Sequence, residues 1–340
     1  MAAERDWRGR VTLNDVAARA GVSRALVSIV MRDVPGASPR TRERVRAAAE
    51  ELGYRPDARA RSLAGQRSRM IGVMFGVSLG AFQFDLLEGL YTAAEDHGLN
   101  LILSPLTRGR DEAKAAQSLN DFRFDAVIML GPQTNEPLLA GQVPVVVVGW
   151  HVDHPAVDIV RTSDVHGMAA AVGHLADLGH RRIAHIDGGI GLVSAARRDG
   201  YAQAMSDRGL VSEIQVVPGG DKQLDGQRAA RRLLDAGNLP TALITYNDDT
   251  AVAAMALLIQ EAVPVPDRVS IVGWDDGEAA NLAPVALTTV AQDPGTMARL
   301  AMERVVRRVA QRPVESREIV LEPELRIRAS TASRSNDTMS

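Results

Sequence analysis

Residues 11–65 read VTLNDVAARAGVSRALVSIVMRDVPGASPRTRERVRAAAEELGYRPDARARSLAG. Leu13, Val16, Ala17 and Ala20 recur at the spacing of one helical face, and Ala25, Val27, Ile29 and Val30 mark a second helix. Gly21 falls between them, where a tight turn needs a residue that accepts positive φ. Thr12 and Ser23 precede the two helices as side-chain caps for their orphan N–H groups. A third helix spans about Arg40 to Leu52, with Val45, Ala48, Ala49 and Leu52 on its packing face and Gly53 as its stop. Two short helices around a glycine turn, supported by a third, form a helix-turn-helix pattern, which points to DNA as a partner.

Charge supports this. Residues 1–68 hold 14 Arg against 8 Asp and Glu, a net +6, while the remainder carries −9 within an overall balance of −3. A basic module on an acidic body suits a protein that meets nucleic acid with one end. The chain has 340 residues, 46% apolar and 24% charged, which predicts two or three globular domains. The charged opening MAAERDWRGR lacks a signal-peptide pattern and no apolar run approaches a membrane span, so the cytoplasm is the expected compartment. The chain has no cysteine, so disulfides, thiolate metal sites and Cys nucleophiles are excluded.

The opening segment resembles the LacI/GalR family of transcription regulators. The resemblance rests on VTLNDVAARAGVS, Thr41-Arg42, Arg44-Val45, Glu51-Leu52-Gly53-Tyr54 with Pro56, and Ala60-Arg61-Ser62-Leu63, all in family order. It continues through His174-Leu175, Leu178-Gly179-His180-Arg181-Arg182-Ile183, Arg197, Gly200-Tyr201, Asn247-Asp248 and Val269 to Asp276, so it covers about residues 11 to 329. The implied fold is α/β: an N-terminal three-helix helix-turn-helix head with a hinge helix, then a two-lobed, periplasmic-binding-protein-like body of parallel sheets. From Arg69 onward, short apolar runs such as Met70 to Phe75 and Val143 to Val148 alternate with helical periods, as parallel sheets covered on both faces require.

The expected domains are 1–56 for the helix-turn-helix, 57–68 for hinge helix and linker, 69–329 for effector binding and dimerisation, and 330–340 as a polar, disordered tail. By the resemblance, the first lobe takes about 69–162 plus 291–318, and the second 163–290 plus 319–329.

In a major groove the first residues of the second helix face base edges, which selects Ser23, Arg24 and Ala25; Thr12, Ser28 and Arg32 complete the expected DNA contacts of the head. Arg24 can donate two bonds to guanine O6 and N7, and Ala25 offers an apolar surface to a thymine methyl. Leu26 stands where the family usually has Thr or Ser. Asp57 to Ala64 resembles the family hinge helix, with Leu63 as the wedge inserted into the minor groove. Two hinges meeting at a palindromic operator require a two-fold homodimer. No leucine heptads suggest a tetramer-forming coiled coil.

The resemblance places an effector site at Arg197, Asn247 and Asp275, with Phe82 and Trp274 as stacking faces. Fork, amide and carboxylate suit neighbouring sugar hydroxyls. Gly149-Trp150-His151 departs from sugar-responsive members. No catalytic residue, metal or cofactor is expected. Gly76-Val77-Ser78-Leu79-Gly80 formally matches a hydrolase nucleophile elbow but has no convincing Asp and His partners. Gly189-Ile190-Gly191 lacks the third small residue of a dinucleotide fingerprint, and His151-Val152-Asp153-His154 lacks a third clustered ligand. The leading function is a dimeric transcription regulator, a repressor controlled by a sugar or related polar metabolite. The alternative is a carrier or α/β enzyme with an accessory head; the carrier lacks an export signal and the enzyme an acid/base constellation.

Overall fold

The computed structural model describes residues 11–31, 33–54, 68–76, 80–107, 109–131, 134–281 and 286–334. The chain divides after Ser68 into two compact units. The expected hinge around 57–64, including Leu63, lies outside the described residues, as does Arg32.

In the first unit, α1 (Leu13–Ala20), α2 (Arg24–Met31) and α3 (Pro39–Glu51) enclose a core of Val16, Ala17, Ala20, Val27, Val30, Val45, Ala48 and Ala49. Thr12 and Asp15 form a reciprocal cap: the Thr12 hydroxyl donates to Asp15 Oδ2 across 2.7 Å, and the Asp15 N–H returns to the Thr12 oxygen at 3.4 Å. Donation from the Thr12 backbone N–H and hydroxyl holds the Asp15 carboxyl below its ordinary range. Gly21, at φ 61, ends α1 in the left-handed conformation and lets the chain turn into α2. The Leu26 N–H donates to Ser23 Oγ at 3.2 Å, so Ser23 caps α2. Asp33 accepts from Arg42 Nη1 (3.0 Å) and Arg46 Nη2 (2.9 Å), fixing the connection between α2 and α3.

The second unit contains two six-stranded sheets. The first runs β11-β5-β4-β3-β1-β2, with β1 (Met70–Gly76), β2 (Asn100–Leu106), β3 (Ala126–Met129), β4 (Val145–Val148), β5 (Val157–Thr162) and β11 (Glu318–Leu321), all parallel. The second runs β12-β10-β9-β8-β6-β7, with β6 (Ile183–Ile186), β7 (Gln215–Val217), β8 (Ala242–Thr245), β9 (Ser270–Asp275), β10 (Thr288–Ala291) and β12 (Glu324–Arg326). Here β12 pairs antiparallel with β10, an exception to the expected all-parallel sheets.

Helices cover both faces of each sheet, which explains the continuous apolar strands. In the first lobe, α4 (Ala81–Asp96) and α11 (Pro294–Val309) bury Ile71, Val73, Ile128, Val146 and Val160 on one face, and α5 (Glu112–Asn120) buries Met74, Val127 and Val145 on the other. In the second lobe, α6 (Asp164–Asp177) and α7 (Leu192–Asp207) cover one face. There α8 (Gln223–Asp235) and α9 (Asp248–Gln260) cover the other, and the short α10 (Glu278–Asn281) follows β9.

The chain crosses between lobes after β5, after β10 and between β11 and β12. The third crossing therefore falls beyond Leu321 rather than after residue 318, because β11 pairs along its length with β5. The polar stretch from Ser330 is also corrected over Ser330–Arg334. The Ser330 hydroxyl donates to the Ile271 carbonyl (2.6 Å) and accepts the Thr288 N–H (2.8 Å), and the Arg334 N–H donates to the Leu178 carbonyl (2.9 Å). These five residues belong to the second lobe.

Candidate functional site

Parallel sheets bring loops together at the carboxyl ends of their strands, where α/β proteins bind ligands. A cavity of about 700 Å³ opens there between the lobes, within the size range of small-molecule sites. The first lobe contributes Phe82, Gln83, Leu130, Gly149 and Trp150; the second contributes Arg197, Lys222, Tyr246, Asn247, Asp249 and Asp275, and Gln292 lies at a crossing.

Arg197 is 5% exposed despite its charge. Burial of a guanidinium requires partners. Its Nε donates to Asp164 Oδ1 at 3.0 Å, its Nη1 donates to the Tyr246 carbonyl, and its guanidinium carbon lies 4.1 Å from the Trp274 ring centroid and 4.7 Å from that of Tyr246. The side chain is thus locked as a fixed donor at the cavity wall.

Asp275 ends β9 with φ 111, followed by Asp276 at φ 58. Each such conformation costs about 1–3 kcal/mol for a residue with a side chain, a strain found mainly where the geometry is used. Gln292 Nε2 donates to Asp275 Oδ1 at 2.7 Å. Burial pushes the Asp275 carboxyl up to about 7, against the pull of Arg197 and the Gln292 bond. Asn247 caps α9 by accepting the Thr250 N–H at 2.9 Å, and its Nδ2 donates to the Asp221 carbonyl at 2.9 Å. It therefore serves the helix while also lining the cavity.

Phe82, Arg197, Asn247 and Asp275 come together at this cavity. Trp274 does not. It is fully buried, its ring takes the space that a Cβ on Gly167 would need, and it supports Arg197 from beneath. The reason is the strand period: neighbours on β9 point to opposite faces, so Trp274 and Asp275 cannot both face a ligand. The expected stacking role for Trp274 is withdrawn.

Trp150 lines the cavity, with its Nε1 donating to the Thr134 carbonyl at 3.1 Å, while His151 turns away to pair with Glu318 at 3.0 Å. Gln83, Gln292, Lys222 and Asp249 were not singled out from sequence. They stand in polar helix starts and loops with no period to mark them. Among the described residues, no group of three or more acidic or His side chains is arranged to hold a metal ion, and no helix is long and apolar enough to cross a membrane.

In the helix-turn-helix unit, Ser23, Arg24 and Ala25 are exposed at the start of α2, Thr12 is exposed before α1, and Ser28 is half-buried on α2. Ser23 and the first two residues of α2 thus offer a hydroxyl, a guanidinium and a methyl side by side, the chemistry that reads base edges in a major groove.

A helix-turn-helix unit on a chain whose body is a two-lobed α/β fold around a polar cavity defines a DNA-binding transcriptional regulator. Residues 12–57 match bacterial regulatory proteins of the lacI family, and residues 172–331 match a periplasmic binding protein-like domain. The ribose operon repressor of Escherichia coli (strain K12) is 31% identical over 328 residues, covering 94% of this chain and 99% of that one. Among solved structures, the lac repressor dimer bound to operator and the anti-inducer ONPF superposes with a TM-score of 0.86 at 27% identity, covering 95% of this chain and 100% of that one. A LacI transcriptional regulator from a Rhodococcus species reaches 0.73 at 36% identity, covering 78% and 98%. The chain belongs to the lacI family of bacterial regulatory proteins.

Proposed function

We propose that the protein is a repressor that binds a palindromic operator as a homodimer and changes its operator affinity when a sugar or related small polar metabolite occupies the inter-lobe cavity. The observation that carries this reading is that cavity, walled from both lobes and presenting the fixed fork of Arg197 beside Asp275 and Asn247. A ligand held by both lobes favours one arrangement of them over another, and it can act on DNA only through that difference in affinity. Relatives named as repressors, and one solved as a dimer on its operator, support the direction of control and the assembly. Ser23, Arg24 and Ala25 read the base edges, with Thr12, Ser28 and Arg32 alongside and Leu63 as the minor-groove wedge. The domains act as 1–56 for reading, 57–68 for hinge and 69 onward for effector binding and dimerisation. The protein works in the cytoplasm and catalyses no reaction.

The test is selection of bound duplexes from a random library, followed by titration of the selected site with a panel of neutral sugars. A palindromic site, bound by two chains and released or tightened by a panel member, is the expected result. Recovery of no sequence preference would overturn the reading.

A further inference from the structure

Asp248 is the second residue of the Asn247-Asp248 pair, yet only Asn247 and Asp249 line the cavity. The Asp248 side chain points instead into the second lobe and is 4% exposed. Its Oδ2 accepts the Gly277 N–H at 2.8 Å, and its Oδ1 accepts the Thr289 hydroxyl at 2.6 Å. A Cβ on Gly273 would stand 2.2 Å from Oδ1, so the glycine in β9 is what admits the carboxylate.

These contacts bracket the strained turn. Gly273 precedes it, Asp275 and Asp276 carry φ 111 and 58, and Gly277 closes it. Thr289 lies on β10 and pairs in register with Gly273. Two successive side-chain-bearing residues hold left-handed backbone only where surrounding structure over-determines them. Among the described residues, Asp248 links α9, β10 and the far end of this turn in one side chain.

We propose that Asp248 is a positioning residue for effector recognition: its bonds to the Gly277 N–H and the Thr289 hydroxyl hold the Asp275–Asp276–Gly277 turn in place and so aim the Asp275 carboxyl at the cavity. The proposal rests on the reading of the cavity as the effector site. Asn247 lines the cavity while its neighbour holds the turn that carries Asp275, so one helix start bears on two lining residues at once. Burial, and then the nearby Asp275, push the Asp248 carboxyl up to about 8, so an amide differs little from it in charge near neutral pH. An amide also keeps an acceptor for Gly277 and can donate to Thr289.

The experiment compares crystal structures of the full-length wild type, Asp248→Ala and Asp248→Asn, with titrations of each against D-ribose, D-glucose and cellobiose. In Asp248→Ala the turn should relax, with Asp275 leaving positive φ and separating from Gln292, while Asp248→Asn should keep both. A sugar bound by wild type should lose at least tenfold in affinity with Asp248→Ala and under threefold with Asp248→Asn. An Asp248→Ala structure with an unchanged turn, or one in which α9 alone shifts, overturns the proposal, as does undiminished sugar binding. If Asp248→Ala does not fold, Thr289→Val removes one of the two contacts and should displace the same turn by less; an unmoved turn there also overturns it. Binding of none of the sugars by wild type counts against the effector reading, while the position of Asp275 still decides this one.

Discussion

Arg197 Nε donates to Asp164 Oδ1 across 3.0 Å, with both side chains less than one-tenth exposed, tying the start of α6 to α7 beside the cavity. Burial raises the Asp164 carboxyl above its ordinary range, and Arg197 opposes that rise. The pair is therefore a structural tie, and of its two members Arg197 lines the cavity.

Removing one partner should leave an uncompensated buried charge. Arg197→Ala is expected to cost about 3–5 kcal/mol of stability, and Arg197→Ala with Asp164→Ala together less than the sum of the two single changes. Urea unfolding of the two single variants and the double variant measures this; strict additivity would show that the pair is not coupled.

Trp274 supports Arg197 and fills space against Gly167. Trp274→Ala should lose about 3–5 kcal/mol through the cavity it leaves. Trp274→Phe should retain most of the fold while loosening Arg197. If Trp274→Ala unfolded at the wild-type urea concentration, the buried role assigned to this ring would be wrong.

His185 is fully buried with Nδ1 3.0 Å from the Ile244 carbonyl, and burial lowers it to about 4. The unfolded chain binds the extra proton between pH 6.5 and 4, so stability falls as pH drops through that window, by about 3 kcal/mol from this group at the acid end. Asp248 acts with the opposite sign. Its raised carboxyl, at about 8, keeps a proton that the unfolded chain releases near pH 4, so its contribution weakens as pH rises between those values. Thermal unfolding from pH 4 to 8 should show His185→Gln losing the rise in stability between pH 4 and 6.5, and Asp248→Asn losing the opposing fall between pH 4 and 8.

Ser330→Ala removes the acceptor for the Thr288 N–H and the donor to the Ile271 carbonyl. Leaving those buried groups unpaired should cost about 1–3 kcal/mol, read as a lower melting temperature. An unchanged melting temperature would return this segment to the status of a tail.

At the DNA-reading end, Arg24→Ala should cost about 1–3 kcal/mol per half-site and relax preference mainly at one base pair. Binding to the selected operator and to random duplex, measured by fluorescence anisotropy, separates the outcomes. Equal weakening on both would make Arg24 a phosphate contact.

The helix-turn-helix and the alternation of strands and helices are legible in the amino-acid order alone. Both are local: Thr12, Ser23 and Gly21 act on neighbouring backbone groups, and the burial of Val16, Val27 and Val45 follows a helical period. The same order also nominated Arg197, Asn247 and Asp275, because their spacing matched a family pattern. Which face each side chain takes is settled by packing in three dimensions. Trp274 was misplaced because strand neighbours diverge, and the Asn247-Asp248 pair divides between cavity and core for a comparable geometric reason. Ser330 binds the Ile271 carbonyl on β9, 59 residues away in the chain, a contact that no local pattern announces. Hydrogen-bonded docking of polar segments depends on where unpaired groups meet in space, and that is fixed only once the sheets have assembled.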